Sequence, residues 1–222
     1  MNNRNEEMVL VSSWDWQTRA LHWVNALLVI TLVLLIVGLD GMASLGVEKA
    51  VRRPVKELHA YIGHIFIVTL ALRIIWGFVG NRYARFSDMI PFTREKFMAL
   101  GQDIKWVFSG FRGESARVAG HDPLASLLYL ALFIVLISQA ITGLLLSGAE
   151  FKMFPGVLLS GGLEKEAAEA LEEVHEFGLF FLYFYMAAHI SGLVLHEVKQ
   201  RTGLFSSMIH GKKYFPKSDV RE

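Results

Sequence analysis

The chain has 222 residues, of which 53% are hydrophobic and only 19% are charged, and its mean hydropathy is +0.40. This composition is too apolar for an ordinary soluble domain and predicts a membrane protein, while the net charge of +1 gives no reason to expect a nucleic-acid partner. Because there is no cysteine, cysteine-ligated iron–sulfur clusters, disulfides and haem attached through a C-x-x-C-H motif are excluded.

Four apolar stretches follow one another along the chain, at about residues 20–39, 58–79, 123–146 and 174–196. Each is near the ~20 residues that a helix needs to cross ~30 Å of hydrocarbon. We therefore expect an all-α membrane protein, a bundle of four transmembrane helices that forms a single domain over residues 1–222. No small-residue cleavage site follows the first stretch, so we expect it to remain as the first helix.

Two further helices are predicted outside the four spans. The segment TREKFMALGQDIKWVF, at 93–108, predicts an interfacial helix on the cytoplasmic leaflet, because five of its apolar side chains fall on one helical stripe: Phe97, Leu100, Ile104, Val107 and Phe108. The segment LEKEAAEALEEV, at 163–174, consists of good helix formers and predicts a short acidic helix on the outer face.

Lysine and arginine are distributed unevenly among the segments between the spans. Fifteen lie in 1–20, 81–123 and 197–222, whereas six lie in the first and third loops. Positive charge is enriched on the cytoplasmic side of membrane proteins. We therefore expect a multi-pass membrane protein with both termini in the cytoplasm, and the family resemblance described below implies that this membrane is the bacterial inner membrane.

Three of the eight histidines lie on the fourth apolar stretch, and two of them, His175 and His189, are fourteen residues apart. Fourteen residues correspond to ~21 Å of helix rise and leave the two side chains only ~40° apart around the axis. One helix can therefore present one imidazole to the bundle interior near each leaflet. Ionisable groups at membrane depth are costly, so a function is the default explanation.

The alternating directions of the helices indicate a partner for each imidazole. His59 begins the second stretch on the outer side, and His22 begins the first stretch on the inner side. This predicts the axial pairs His59/His175 and His22/His189, which would bind two b-type haems. An iron with both axial positions filled has no open site for substrate, so the pattern indicates electron transfer rather than oxygen chemistry.

Three other side chains are candidates for contact with the cofactors. Arg73 lies fourteen residues beyond His59, on the same helix face, and would bind the propionates of the inner haem or extend to a lipid phosphate. His196 lies seven residues beyond His189 and would hydrogen-bond a propionate or a quinone, or serve as a reserve inner ligand. His64 lies about 140° round the helix from His59, so a structural or outer-site role is expected for it.

The histidines also have a simpler interpretation. A single histidine in an apolar helix is often hydrogen-bonded only to a neighbouring backbone group. This explanation is less probable for four histidines that lie at matching depths. His121 precedes Asp122 and Pro123 and is expected to cap a helix, and His210 is expected to be a tail residue. A haem-free transporter or assembly factor, with histidines that handle protons or metal, is the remaining alternative.

The sequence resembles the bacterial cytochrome b561 family, which includes the membrane cytochrome b subunit of nickel-iron hydrogenases. The resemblance rests on seven segments in order: WDWQTRALHW at 14–23, HAYIG at 59–63, RIIWGFVGNRYARF at 73–86, GHDPLASLLYL at 120–130, VHEFG at 174–178, AHISGLVLHE at 188–197 and SSMIHGKKYF at 206–215. One departure is Asp122, where the family signature usually has Asn. The family's ligands correspond to His22, His59, His175 and His189.

The resemblance also implies quinone as a diffusible redox partner. We expect a dihaem cytochrome that exchanges electrons between quinone and a periplasmic redox protein, and the acidic third loop favours a basic c-type cytochrome. The alternative is the cytochrome b subunit of a nickel-iron hydrogenase or another periplasmic dehydrogenase. A homodimer in the bilayer is left open.

Overall fold

The structure is a computed structural model of the chain, and it describes residues 8–90, 93–110, 112, 123–200 and 203–216. These residues are mostly helical. In chain order the elements are strand β1 (Met8–Ser12), helices α1 (Trp16–Ser44) and α2 (Lys49–Val79), a 3-10 turn (Arg82–Ala84), helices α3 (Phe86–Met89), α4 (Arg94–Phe108), α5 (Pro123–Phe151), α6 (Gly156–Leu159), α7 (Lys165–Gln200) and α8 (Leu204–His210), and strand β2 (Lys212–Pro216).

Four of these helices, α1, α2, α5 and α7, are long and apolar enough to cross a membrane, which confirms the four predicted spans by length and composition. Large apolar side chains along them stay exposed, including Leu34 at 63%, Val68 at 60% and Ile134 at 71%. A protein in water rarely exposes so much continuous apolar surface. Such a surface is expected to face lipid.

The long helices extend beyond the predicted stretches. α2 begins at Lys49 rather than near residue 58, because its first turns are polar and hydropathy detects only the apolar part of a helix. The prediction of a separate acidic helix at 163–174 is wrong. That segment is helical from Lys165, but it forms the first turns of α7, since no residue between it and the apolar stretch interrupts the helix.

The chain clusters into two compact units, each with segments of all four long helices. We call the described residues within 21–73 and 132–184 the central unit, and those within 1–20, 74–131 and 185–222 the terminal unit. The single-domain prediction stays a prediction.

A two-stranded antiparallel sheet joins the two ends of the described chain within the terminal unit. β1 pairs with β2 in a register that runs from Met8 opposite Pro216 to Ser12 opposite Lys212. Next to it, the indole Nε1 of Trp14 donates to Ser207 Oγ over 3.2 Å. The two ends of the described chain therefore lie next to each other. The sequence analysis did not predict this sheet.

Helix α4 has two different faces. Of the predicted apolar stripe, Phe97 and Phe108 are 65% and 87% exposed, whereas Leu100 is buried. Asp103 and Trp106 are buried as well. Thr93 caps the helix by accepting a hydrogen bond from the backbone N–H of Lys96. The exposed apolar stripe is the face expected of an interfacial helix; its placement on a leaflet stays a prediction.

Candidate haem site

The central unit brings His59 of α2 and His175 of α7 together. Their ring centroids are 6.3 Å apart and their planes are nearly perpendicular, at 84°. Both side chains are half-buried. The sequence predicted this pair from the directions of the helices, and the structure places its two members side by side.

Both imidazoles are oriented through Nδ1. The Nδ1–H of His59 donates to the carbonyl oxygen of Leu32 over 3.2 Å. Nδ1 of His175 lies 2.8 Å from the hydroxyl of Thr142, which itself donates to the carbonyl of Ser138. The hydroxyl oxygen therefore accepts from His175, and a neutral ring with its proton on Nδ1 has its lone pair on Nε2, where a metal binds.

Small and polar residues of α5 fit closely against the backbone and ring of His175. The side-chain amide of Gln139 donates to the carbonyl oxygen of His175 over 2.9 Å. A Cβ atom at Gly143 would lie 3.1 Å from Cε1 of His175, so only glycine leaves the ring its present space. At Gly178 a Cβ atom would collide with the side chain of Gln139. The ring position of His175 thus depends on two glycines and two polar side chains.

These residues fit a haem iron. Two imidazoles bound at about 2 Å on opposite sides of one metal place their ring centres about 6 Å apart, which is close to the observed 6.3 Å. Among the described residues, no group of three or more His, Asp or Glu side chains could hold a metal ion. Two axial imidazoles are what a macrocycle with its own four nitrogens requires of the protein.

The other predicted pair is divided between the two units. His22, in the central unit, contacts the edge of the Trp23 ring at 5.4 Å between centroids. His189, in the terminal unit, stacks on Tyr185 at 5.7 Å and 10°. The pairing of His22 with His189 therefore stays a prediction.

The two predicted propionate partners are placed differently. Arg73 is only 4% exposed, and its guanidinium lies 5.5 Å from the centroid of the Phe133 ring within the central unit. His196 lies in the terminal unit and contacts the buried Trp106 at 5.2 Å between centroids. Their roles toward a propionate or a quinone stay predictions.

The remaining histidines are set apart from the pair. His64 donates from Nδ1 to the carbonyl of Ala60, one turn earlier, over 2.8 Å, and its buried Nε2 has no hydrogen-bond partner among the described residues. His210 accepts a hydrogen bond at Nδ1 from the backbone of Lys212, in keeping with a tail position. The capping prediction for His121 lies outside the described residues.

An ion-pair cluster lies one helical turn before both ligands. The ammonium of Lys56 is 2.8 Å from the carboxylate of Glu150 and 3.6 Å from that of Glu172. Lys56 precedes His59 by three residues, and Glu172 precedes His175 by three. The cluster therefore connects α2, α5 and α7 close to the imidazoles.

The sequence analysis missed Gln139 and Thr142. The signal that could have found them is their polarity inside an apolar stretch, LISQAITGLLL at 136–146, together with a spacing of three residues that puts both on one helix face. Polar groups at that depth need a partner, and the histidines of the neighbouring helices are the natural ones.

Comparison with known proteins identifies the family of the chain. The family described as prokaryotic cytochrome b561 matches residues 13–211, nearly the whole chain. The chain belongs to the prokaryotic cytochrome b561 family. It is a multi-pass bacterial membrane protein and a b-type cytochrome, so its cofactor is haem b and its activity is electron transport.

Several relatives of this cytochrome b561 chain are named as cytochrome subunits of Ni/Fe-hydrogenases. A protein of Bradyrhizobium diazoefficiens, named as a probable Ni/Fe-hydrogenase B-type cytochrome subunit, is 26% identical over 91% of this chain and 85% of its own length. A relative of the same name from Rhodobacter capsulatus is 27% identical over 91% of the chain and 80% of its own length. The probable Ni/Fe-hydrogenase 1 B-type cytochrome subunit of Escherichia coli is 23% identical over 95% and 94%.

Proposed function

We propose that the chain is the membrane cytochrome b subunit of a nickel-iron hydrogenase or a related periplasmic dehydrogenase, and that it passes electrons from the catalytic partner to quinone. The observation that carries this proposal is the His59/His175 pair within a chain that aligns almost end to end with cytochromes named as hydrogenase subunits. The relatives thus favour the alternative of the sequence analysis over a stand-alone cytochrome with a c-type partner.

In this proposal the chain binds two haems b. His59 and His175 hold one on the outer side, and His22 and His189 hold the other on the cytoplasmic side, with Arg73 and His196 toward propionates or quinone. When bound, each bis-histidine haem supplies a one-electron redox centre with no open coordination site. The protein's part is to fix the imidazoles before the haem arrives, through Leu32 and Thr142 at the first pair.

The partner surface in this proposal is the start of α7, on the periplasmic side. Glu164, Glu166 and Glu169 lie there, and the Glu169 side chain is 60% exposed although it pairs with Lys165. Acidic surface accelerates encounter with a basic partner in a salt-dependent manner. Neutralising the three glutamates should weaken partner binding and remove its dependence on ionic strength; unchanged binding would contradict this docking site.

The experiment that tests the proposal is purification of the tagged chain from its source membranes in mild detergent. We expect a nickel-containing subunit to co-purify and dihydrogen to reduce the haems of the complex. A chain that purifies alone and exchanges electrons with quinol and a c-type cytochrome would instead support the stand-alone function. The absence of a Soret band from the purified protein would contradict both.

A further inference from the structure

An open cleft follows the end of α2 in the terminal unit. It has a volume of about 360 Å³ and is lined by Arg82, Arg85, Ser87, Asp88 and Lys96. This volume lies at the lower end of the range for small-molecule sites. The cleft lies just beyond the last apolar turn of a membrane-spanning helix, at the depth where lipid headgroups are expected.

Two of its three cations face no carboxylate. Lys96 is 3.4 Å from the carboxylate of Asp88 and also donates to the Asp88 backbone carbonyl. Arg85 donates from Nε to the carbonyl of Gly80 over 2.8 Å, and Arg82 lies over the ring of Tyr83. Across the described part of the chain, no Asp or Glu forms an ion pair with either guanidinium, so the cleft has an excess of positive charge.

An apolar surface begins beside the cleft. Lys96 lies in the first turn of α4, and the next residue, Phe97, starts an exposed stripe with Ile104 and Phe108. These three side chains are 65%, 39% and 87% exposed and lie within about 40° of one another around the helix. Phe78, at the end of α2, is 68% exposed as well. Basic and apolar surfaces are therefore adjacent on one segment.

We infer that this cleft binds the headgroup phosphate of an anionic glycerophospholipid, whose acyl chains lie along the Phe97–Phe108 stripe. Guanidinium groups bind phosphate oxygens through paired, charge-assisted hydrogen bonds. An anionic lipid such as phosphatidylglycerol has a negative phosphate and no headgroup ammonium. Its net negative charge therefore matches the excess of guanidinium over carboxylate in the cleft. A zwitterionic lipid would bring its own cation into an already positive cleft, so the site selects the anionic class.

The inference is tested by native mass spectrometry of the haem-containing protein in detergent, titrated separately with phosphatidylglycerol, phosphatidylcholine and inorganic phosphate. We expect phosphatidylglycerol to bind most tightly. Each of Arg82→Gln and Arg85→Gln should weaken its binding about 5-fold, and the double variant about 30-fold. Phe97→Ser with Phe108→Ser should weaken phosphatidylglycerol binding through the acyl chains.

The matched control is Lys105→Gln with Lys212→Gln, which removes the same charge from exposed positions outside the cleft and should change binding less than 2-fold. An unchanged Soret spectrum verifies that each variant is folded. The comparison of phosphatidylglycerol with phosphatidylcholine on the unmodified protein tests the inference without any substitution. Equal binding of the two lipids, or loss of binding in the control to the same extent, would overturn the inference. Inorganic phosphate that displaces the lipid at equal concentration would identify a free-anion site instead.

Discussion

His59 and His175 are held differently from His189. The first two have Nδ1 engaged by a backbone carbonyl and a threonine hydroxyl, and both are half-buried in the central unit. His189, in the terminal unit, is exposed and stacks on Tyr185. A hydrogen bond from Nδ1 fixes both the tautomer of an imidazole and the direction of its Nε2. At His59 and His175 the protein thus sets the direction of Nε2 within a half-buried site, whereas His189 is the more exposed ring.

The largest expected effect comes from removing a member of the pre-oriented pair. We expect His175→Ala or His59→Ala to lower the haem content from about two to about one per chain, because one axial ligand alone holds a b-type haem weakly. Pyridine haemochrome quantification on purified protein measures this. His64→Ala, on the same helix as His59, is the matched control and should keep its haem. Full haem content in both ligand variants would contradict the site.

The same experiment at His189 tests the more exposed candidate ligand. His189→Ala should also lower the haem content by about one per chain, and the double variant with His175→Ala should lose nearly all haem. Because the two changes act at separate cofactors, their effects should add. If the double variant retains as much haem as either single variant, then His189 and His175 serve one cofactor, and the dihaem arrangement is wrong.

How far the sequence predicts this arrangement depends on the kind of signal. The apolar spans and the spacing of the histidines are local, periodic features of the sequence. The four long helices and the His59/His175 pair were therefore predictable from the sequence. The β1–β2 sheet joins five-residue strands from opposite ends of the chain, and no local periodicity indicates such a pairing.

Hydropathy and periodicity also did not predict the ends of the helices or the contacts that support the histidines. Hydropathy detects the apolar part of a helix, so the start of α2 at Lys49 and the fusion of the acidic segment with α7 were not predicted. Thr142 was overlooked because a single hydroxyl in an apolar stretch is common, and its role depends on which ring the fold brings against it.

Removing the hydroxyl next to His175 should sharpen the comparison by taking away the partner that orients this ring through Nδ1. In Thr142→Val the Nδ1–H of His175 loses its acceptor, and supporting hydrogen bonds of this kind are worth about 10- to 100-fold in metal affinity. We expect haem transfer to apomyoglobin to accelerate about 10-fold and the redox potential of one haem to rise, since a less basic ligand stabilises the ferric state less. Thr142→Ser is the control, and it should behave like the unmodified protein.

A smaller change is expected from Gly143→Ala. The new methyl group would lie 3.1 Å from Cε1 of His175, so the ring must shift by a few tenths of an ångström. We expect an altered low-spin electron paramagnetic resonance signal for one haem, with haem content unchanged. Gly41→Ala, where no atom lies within 4 Å of the added carbon, should leave both signals as they are. A change of equal size in the control would show that the effect is general to glycine replacement.

The smallest effect is expected at the ion-pair cluster, which lies a helical turn from the pair but is about half exposed. Lys56→Gln removes a cation that lies near two carboxylates, and exposed ion pairs contribute only about 0–1 kcal/mol to stability. Loss of a nearby positive charge favours the oxidised haem. The redox potential of the haem proposed to lie between His59 and His175 should therefore fall by an amount on the order of 20 mV. Glu172→Gln removes a charge of the opposite sign and should raise it. Redox titration of both variants checks the pair of shifts, and equal shifts at both haems would mean that the cluster does not act locally on His59/His175.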